Sequence, residues 1–413
     1  MNKQDHSLGF HTPKQPLCKA TSNPMLSNKQ NRYINSLKLE CVPGFDLGTP
    51  HKSETSENCQ IYKALKLQES YPSFNSISLN INYDQQVNRS FPTQAEKILD
   101  APDIVDDYYL NLISWSDKNI LAVALRNRLY LWNGNTNYVD ILSEYRNDII
   151  TSVSWMQGGR CLAIGDSAHN IKLIDVEKNS EIRTIQAHSD RVSSLAWNGY
   201  VLSSGSRDSL IINHDLRIQN YFVKYTSHNQ EICGLKWNTE NNYLASGAND
   251  NKICIWDLSS TMPIYEFKEH KAAVKALAWC PWKRNLLASG GGSIDKMIKM
   301  WDCTLGNCVS SVDTGSQVSA LEWNRYDKEI LSAHGYTQNQ LTLWKADEMT
   351  KIMDFNGHTA RILNMSANPD GTQVVTAGAD ETLRFWNIFN SMDKPSEKIC
   401  RWSPGSGINA GYR

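Results

Sequence analysis

The spacing of apolar and polar residues along this chain changes character once. From Met1 to about Ala95 the sequence is rich in Asn, Ser, Gln, Lys and Pro, and its apolar residues show no sustained period. Beyond that point a short apolar strand recurs seven times, each running into a Trp-Asp dipeptide or a decayed form of it. The series is Trp132-Asn133, Ile174-Asp175, His214-Asp215, Trp256-Asp257, Trp301-Asp302, Trp344-Lys345 and Trp386-Asn387. Its second residues, at 133, 175, 215, 257, 302, 345 and 387, are spaced by 42, 40, 42, 45, 43 and 42 positions. A period of about 40–45 residues carrying this dipeptide predicts one four-stranded blade per repeat. The chain is therefore expected to be all-β, a seven-bladed WD-repeat β-propeller over residues 97–389. Residues 1–96 form an N-terminal arm that cannot bury enough apolar surface to offset its ordering entropy, so disorder until binding is expected there. Residues 390–413 are expected to be a flexible tail.

The repeat carries its own hydrogen-bond logic. A His precedes the first strand of the better repeats, and an Asp sits in the turn before the Trp strand. His188 goes with Asp208, His228 with Asp250, His270 with Asp295 and His358 with Asp380. A buried imidazole needs partners for its ring nitrogens and a buried carboxylate needs donors, and one pair satisfies both. These residues are read as structural rather than catalytic or metal-binding. The first blade and the sixth, with Gly315-Ser316-Gln317-Val318 where a His is expected, lack the pair and are expected to be slacker.

Composition narrows the class further. Seven repeats need about 290 residues, and the chain has 413 with a formal net charge of −1. That balance gives no bulk attraction to nucleic acid or membrane surface. No apolar stretch approaches a membrane span, and Met1-Asn2-Lys3-Gln4-Asp5-His6 opens without an apolar core, so a soluble intracellular chain is expected. Ten cysteines are scattered, several in or beside apolar strands, and only Cys303 and Cys308 lie close together. This spacing fits reduced thiols, with no metal site. No Ser-His-Asp set stands outside the repeat, no Gly-rich phosphate loop follows a strand, and no cofactor is implied. An enzyme is not expected.

The arm holds short islands of apolar character: Asn31-Arg32-Tyr33-Ile34-Asn35, the helix-prone Ile61-Tyr62-Lys63-Ala64-Leu65-Lys66-Leu67, and Lys97-Ile98-Leu99-Asp100-Ala101-Pro102. Thr12-Pro13, Thr49-Pro50 and Ser403-Pro404 have the form of proline-directed phosphorylation sites, where added charge would alter docking. After the arm comes Ile98-Leu99-Asp100-Ala101-Pro102-Asp103-Ile104-Val105-Asp106-Asp107-Tyr108-Tyr109-Leu110-Asn111-Leu112, then Trp115-Ser116. This stretch closely resembles the start of the propeller in the Fizzy and Fizzy-related family, activators of the anaphase-promoting complex (cyclosome). The likeness continues through Ile212-Asn213-His214-Asp215-Leu216-Arg217, Ala288-Ser289-Gly290-Gly291-Gly292 and Ala379-Asp380-Glu381-Thr382-Leu383-Arg384-Phe385-Trp386. It covers the whole propeller.

The resemblance implies an adaptor without covalent chemistry. Family propellers read short degrons while flexible ends hold the ubiquitin ligase. The destruction box, Arg-x-x-Leu, binds at the side channel between first and last blades, and the acidic positions matched to it here are Asp107 and Glu381. A carboxylate pair suits a planar guanidinium; on the residues alone, Asp107 reads rather as a turn cap and Glu381 as a solvated carboxylate, and it is the resemblance that reverses this. The Lys-Glu-Asn degron binds the top face, matched here by Asn249, Asn251 and Arg361, with Ser293 where the family has Thr. Asn in a blade turn is also ordinary, because it tolerates left-handed backbone.

Ligase docking departs from the family pattern. The C-box, Asp-Arg-Phe/Tyr-Ile-Pro, is matched by Asn31-Arg32-Tyr33-Ile34-Asn35, which keeps Arg32, Tyr33 and Ile34 but loses the Asp and the stiffening Pro. The family's terminal Ile-Arg becomes Tyr412-Arg413. Docking is then either weakened but functional, by avidity over several anchors, or retuned for a meiotic form of the complex. The implied partners are the complex's subunits, degron-bearing cell-cycle proteins such as cyclins or securin, and checkpoint or meiotic inhibitors, in nucleus and cytoplasm. The competing expectation is a WD scaffold or decoy that binds degrons without productive ligase docking.

Overall fold

The computed structural model describes residues 89–390, apart from 219–221, 239, 241 and 337. Twenty-eight strands form seven four-stranded antiparallel sheets, and among the described residues there is no helix. The inner strands are Ile113–Trp115, Ile150–Trp155, Val192–Asn198, Ile232–Asn238, Val274–Trp279, Val318–Trp323 and Ile362–Ala367. Each packs against the next, and the last against the first, so the sheets close into a ring of seven blades. Closure also joins the two ends of the propeller segment through a hydrogen-bonded strand pairing. Lys97–Asp100 forms the outer strand of the seventh blade, pairing antiparallel with Thr382–Asn387 in the register Lys97↔Phe385 and Asp100↔Thr382.

Residues ahead of 97 already pack on the propeller. The Arg89 guanidinium bonds Glu329 at 2.7 and 2.8 Å and also donates to the Ile388 carbonyl. Phe91 packs edge-on to Phe355 with centroids 6.0 Å apart. These contacts tie the approach to the first blade onto the sixth and seventh. At the other end Ile388 and Phe389 are buried.

The four His–Asp sets fall in the turns as one local design. Nδ1 of His188, His228, His270 and His358 lies 3.0, 3.1, 2.6 and 3.0 Å from Asp208, Asp250, Asp295 and Asp380. On the other ring nitrogen each His meets a hydroxyl, from Ser204, Ser246, Ser289 or Thr376, at 2.7–2.8 Å. The indole N–H of Trp256, Trp301 or Trp386 donates to that same oxygen at 2.8, 2.7 and 3.0 Å. The repeat is thus a chain from Trp through hydroxyl and imidazole to carboxylate, every polar atom paired inside the blade. Burial pushes the Asp208 carboxyl upward, but donation from His188 and the Ser189 and Leu210 amides outweighs it and holds the group at about 2.

Two blades complete the chain with different residues. In the third, His214 stands where Trp is usual, and its Nε2 reaches Ser204 at 3.2 Å. In the sixth, Ser332 receives the Trp344 indole at 2.7 Å, and His334, two residues along the same strand, meets it at 2.6 Å. The sixth blade therefore has an imidazole on its hydroxyl, from a position the repeat pattern does not mark. Burial, the largest influence on each, lowers His214 and His334 to about 4. Both are neutral in the folded chain at pH 7, whereas the unfolded chain takes up protons below about 6.5. Stability present at pH 7 is therefore lost as pH falls from about 6.5 towards 4, by about 2 kcal/mol per His at pH 5. Denaturant midpoints at pH 7 and pH 5 check this; identical midpoints contradict it.

Candidate peptide-binding sites

Six of the seven inner strands carry a β-bulge at the same level, between Ile150/Ser152, Val192/Ser194, Ile232/Gly234, Val274/Ala276, Val318/Ala320 and Ile362/Asn364. A bulge leaves backbone groups without a ladder partner, and here they face the central channel, where they need donors. The segment from Asp106 to Leu112 supplies them. Asn111 donates its amide N–H to the Thr151 carbonyl at 3.2 Å and its side-chain NH₂ to Ser193 and Cys233 carbonyls at 2.7 and 3.0 Å. The Tyr108 hydroxyl donates to the Val318 carbonyl at 3.0 Å. Lys275, itself at the fifth bulge and 5% exposed, donates to Leu110 and Leu363 carbonyls at 2.8 and 2.7 Å. Burial pulls this ammonium down to about 7. One short segment thereby plugs the channel and floors the top face.

Above this plug lies a depression of about 680 Å³. Its rim is assembled from consecutive blades: Asn249 and Asn251 from the fourth, Ser293 from the fifth, Tyr336 from the sixth and Arg361 at the start of the seventh. The structural Asp positions set these side chains on the rim, where Asn249 accepts from the Tyr109 hydroxyl at 2.8 Å and donates to Gln230 at 2.7 Å. Asp250 turns in to His228, leaving its neighbours Asn249 and Asn251 on the surface, with Asn251 at φ 65°, which Asn tolerates. Ser293 lies two residues before Asp295, in the corresponding turn of the fifth blade. The four residues matched to the Lys-Glu-Asn degron thus line one depression.

Asp107 belongs to this depression, not to the junction of first and last blades. Its Oδ2 accepts from Arg191 Nη1 at 2.7 Å and its Oδ1 caps the Tyr109 N–H at 2.9 Å. Arg191 in turn forks onto Glu231 at 2.7 and 2.9 Å. Asp106 holds Arg361, accepting from Nε at 2.6 Å through Oδ1 and from Nη2 at 3.0 Å through its carbonyl. Arg361 is therefore already partly engaged.

Glu381 lies at the junction instead. Its carbonyl accepts the Ala101 N–H at 2.7 Å, and its side chain is exposed. The acidic residue at that end of the ladder is Asp100, exposed and opposite Thr382. The structure therefore separates the expected Asp107–Glu381 pair and brings Asp100 to Glu381. Asp107 looked suitable because the sequence cannot tell which carboxylate turns up onto the face; only the pairing of Lys97–Asp100 with Thr382–Asn387 shows it. Following Asp100, Pro102 and Asp103 edge a second depression of about 520 Å³, with Leu125 and Tyr130 among its lining.

Among the described residues no group of three His, Cys, Asp or Glu side chains could hold a metal ion. The described cysteines are unpaired thiols, buried apart from half-buried Cys308. Arg32, Tyr33, Ile34, Tyr412 and Arg413, and the Thr-Pro and Ser-Pro dipeptides at Thr12, Thr49 and Ser403, lie outside the described residues.

Comparison with known proteins follows this geometry closely. A family model described as the CDC20/Fizzy WD40 domain matches residues 99–386. The chain is 48% identical over 320 residues to the anaphase-promoting complex subunit cdc20 of Dictyostelium discoideum, covering 75% of this chain and 64% of that relative. This chain thus spans just under two thirds of that relative's length. It is 48% identical over 312 residues to cell division cycle 20.1, cofactor of APC complex, of Arabidopsis thaliana, covering 73% and 68%. It is 45% identical over 321 residues to the Arabidopsis thaliana protein FIZZY-RELATED 3, covering 77% and 67%. A chain in the crystal structure of the mitotic checkpoint complex superposes with a TM-score of 0.71 at 43% identity, covering 73% of this chain and 98% of that one. The propeller, its plug and these matches together establish that the chain belongs to the CDC20/Fizzy WD40 family.

Proposed function

We propose that this chain is a substrate adaptor and activator of the anaphase-promoting complex, binding degrons rather than catalysing a reaction. The single observation that carries the reading is the top depression, where Asn249 and Asn251 of the fourth blade, Ser293 of the fifth and Arg361 of the seventh converge above the channel plug. Amides and a hydroxyl suit the polar side chains of a Lys-Glu-Asn degron, and the guanidinium suits its carboxylate. The Asp100–Glu381 edge suits the Arg of an Arg-x-x-Leu degron, and the neighbouring Leu125 and Tyr130 offer its Leu an apolar seat. Relatives named as subunits or cofactors of the complex support the ligase assignment. The checkpoint-complex neighbour supports an inhibitory partner on the same propeller. Arg32, Tyr33, Ile34, Tyr412 and Arg413 are the residues proposed to dock the ligase, and nucleus and cytoplasm the places of action. The experiment is a pull-down of the tagged chain from dividing and meiotic cells. Ligase subunits are expected with the intact chain and depleted by Arg32→Ala combined with loss of Arg413. A chain that retains degron peptides but brings down no ligase subunits is a decoy, and the proposal fails.

A further inference from the structure

Two large apolar side chains stand out on the rim of the top depression: Ile294, 80% exposed, and Tyr336, 60% exposed. Isolated exposed apolar residues are ordinary on a protein surface, but these two share one concave lining, to which Val105, Ala272 and Ala273 add further apolar surface. Ile294 is not on a loose loop. Its turn is closed by Asp295 N–H and Lys296 N–H donating to the Gly292 carbonyl at 3.1 and 2.9 Å, and Asp295 is locked to His270 at 2.6 Å. The same turn in other blades is polar, Arg207-Asp208-Ser209 in the third, Asn249-Asp250-Asn251 in the fourth and Asp380-Glu381 in the seventh. Tyr336 is set against the Arg361 guanidinium, 5.4 Å from its ring centroid. Round the rim, the apolar pair therefore falls between the Asn249–Asn251 turn and Arg361.

We propose that Ile294 and Tyr336 form an apolar subsite that selects peptides carrying an apolar side chain beside the polar triplet. This rests on the reading of the depression as a degron site and adds to it a class of preferred substrate. An apolar flank laid across Ile294 and Tyr336 removes apolar surface on both partners from water, whereas a serine flank removes little.

The test uses the full chain and Lys-Glu-Asn peptides with Leu placed at each flanking position in turn, against an all-Ser flank. At one or more positions the Leu peptide is expected to bind about tenfold tighter, a difference of about 1.4 kcal/mol. Ile294→Ser is expected to reduce that preference while leaving the all-Ser peptide's affinity unchanged; Tyr336→Ser is expected to reduce the preference as well, with a further loss for every peptide because its ring also supports Arg361. Equal affinities at every position in the wild type, or a preference that survives both substitutions, overturns the subsite while the depression remains a degron site. If no Lys-Glu-Asn peptide binds the wild type, the depression reading falls and the subsite with it.

Discussion

Replacing Asp295 with Ala is expected to lower the unfolding free energy by about 2–5 kcal/mol, because it leaves two buried donors without an acceptor at about 1–3 kcal/mol each. Both side chains of the His270–Asp295 pair are 1% exposed, and they meet at 2.6 Å. The carboxylate also accepts the Lys271 N–H at 2.9 Å, so its removal strands two donors away from water. His270 would lose its orientation on Ser289, and the Trp301 indole, at 2.7 Å from that hydroxyl, would lose a well-placed acceptor. Asp295→Asn, which keeps an acceptor of the same shape, is expected to cost less. Urea unfolding of both variants checks the order. A loss below about 1 kcal/mol for Asp295→Ala would show that the chain of hydrogen bonds is not what fixes the blade. Because this carboxylate also fixes the turn carrying Ser293, degron binding at the top face should weaken in parallel.

What was legible in the sequence is what the repeat writes locally. The dipeptide period gives seven blades, and each His–Asp spacing follows from turn length alone. The hydroxyl that joins Trp to His was missed, because Ser and Thr are common in strands and carry no signal until the third position of each pairing is aligned. A second Trp series likewise carries no local signal of its role. Trp155, Trp197, Trp279 and Trp323 end inner strands and donate to carbonyls of the preceding blade at 3.0–3.1 Å. His334 was invisible because it serves its hydroxyl from within the same strand. Long-range closure was harder still. Nothing local in Lys97–Asp100 says that it pairs with a strand nearly three hundred residues on, and without that pairing Asp100 and Asp107 are interchangeable candidates. The plug explains why the run from Asp106 to Leu112 is so particular: its side chains answer bulge carbonyls on inner strands far along the chain.

The larger functional effects follow from the separation of the two carboxylates. Arg361→Ala removes the guanidinium proposed to meet a degron carboxylate, and a lost charge-assisted bond of about 1.5–3 kcal/mol means a loss of about tenfold to a hundredfold in affinity for a Lys-Glu-Asn peptide. Asp106→Asn acts the other way. Asp106 is more than half exposed and competes for Arg361 at 2.6 Å, so neutralising it should tighten the same peptide by a few-fold, in keeping with the small net worth of an exposed ion pair. Asp107→Ala should weaken that peptide too, because Asp107 orders the floor through Arg191 and Tyr109. At the junction, Asp100→Ala and Glu381→Ala should each weaken an Arg-x-x-Leu peptide by about tenfold or more. None of the top-face changes should touch that peptide.

The central claim is that one rigid propeller carries two independent degron sites, with Asp107 on the top face and Asp100 beside Glu381 at the blade junction. Titrating Arg-x-x-Leu and Lys-Glu-Asn peptides onto the wild type, Asp107→Ala and the Asp100→Ala/Glu381→Ala double variant tests it most directly. The account predicts that the double variant loses only the Arg-x-x-Leu peptide and Asp107→Ala weakens only the Lys-Glu-Asn peptide. If Asp107→Ala weakens the Arg-x-x-Leu peptide while the double variant binds it as the wild type does, the account is contradicted.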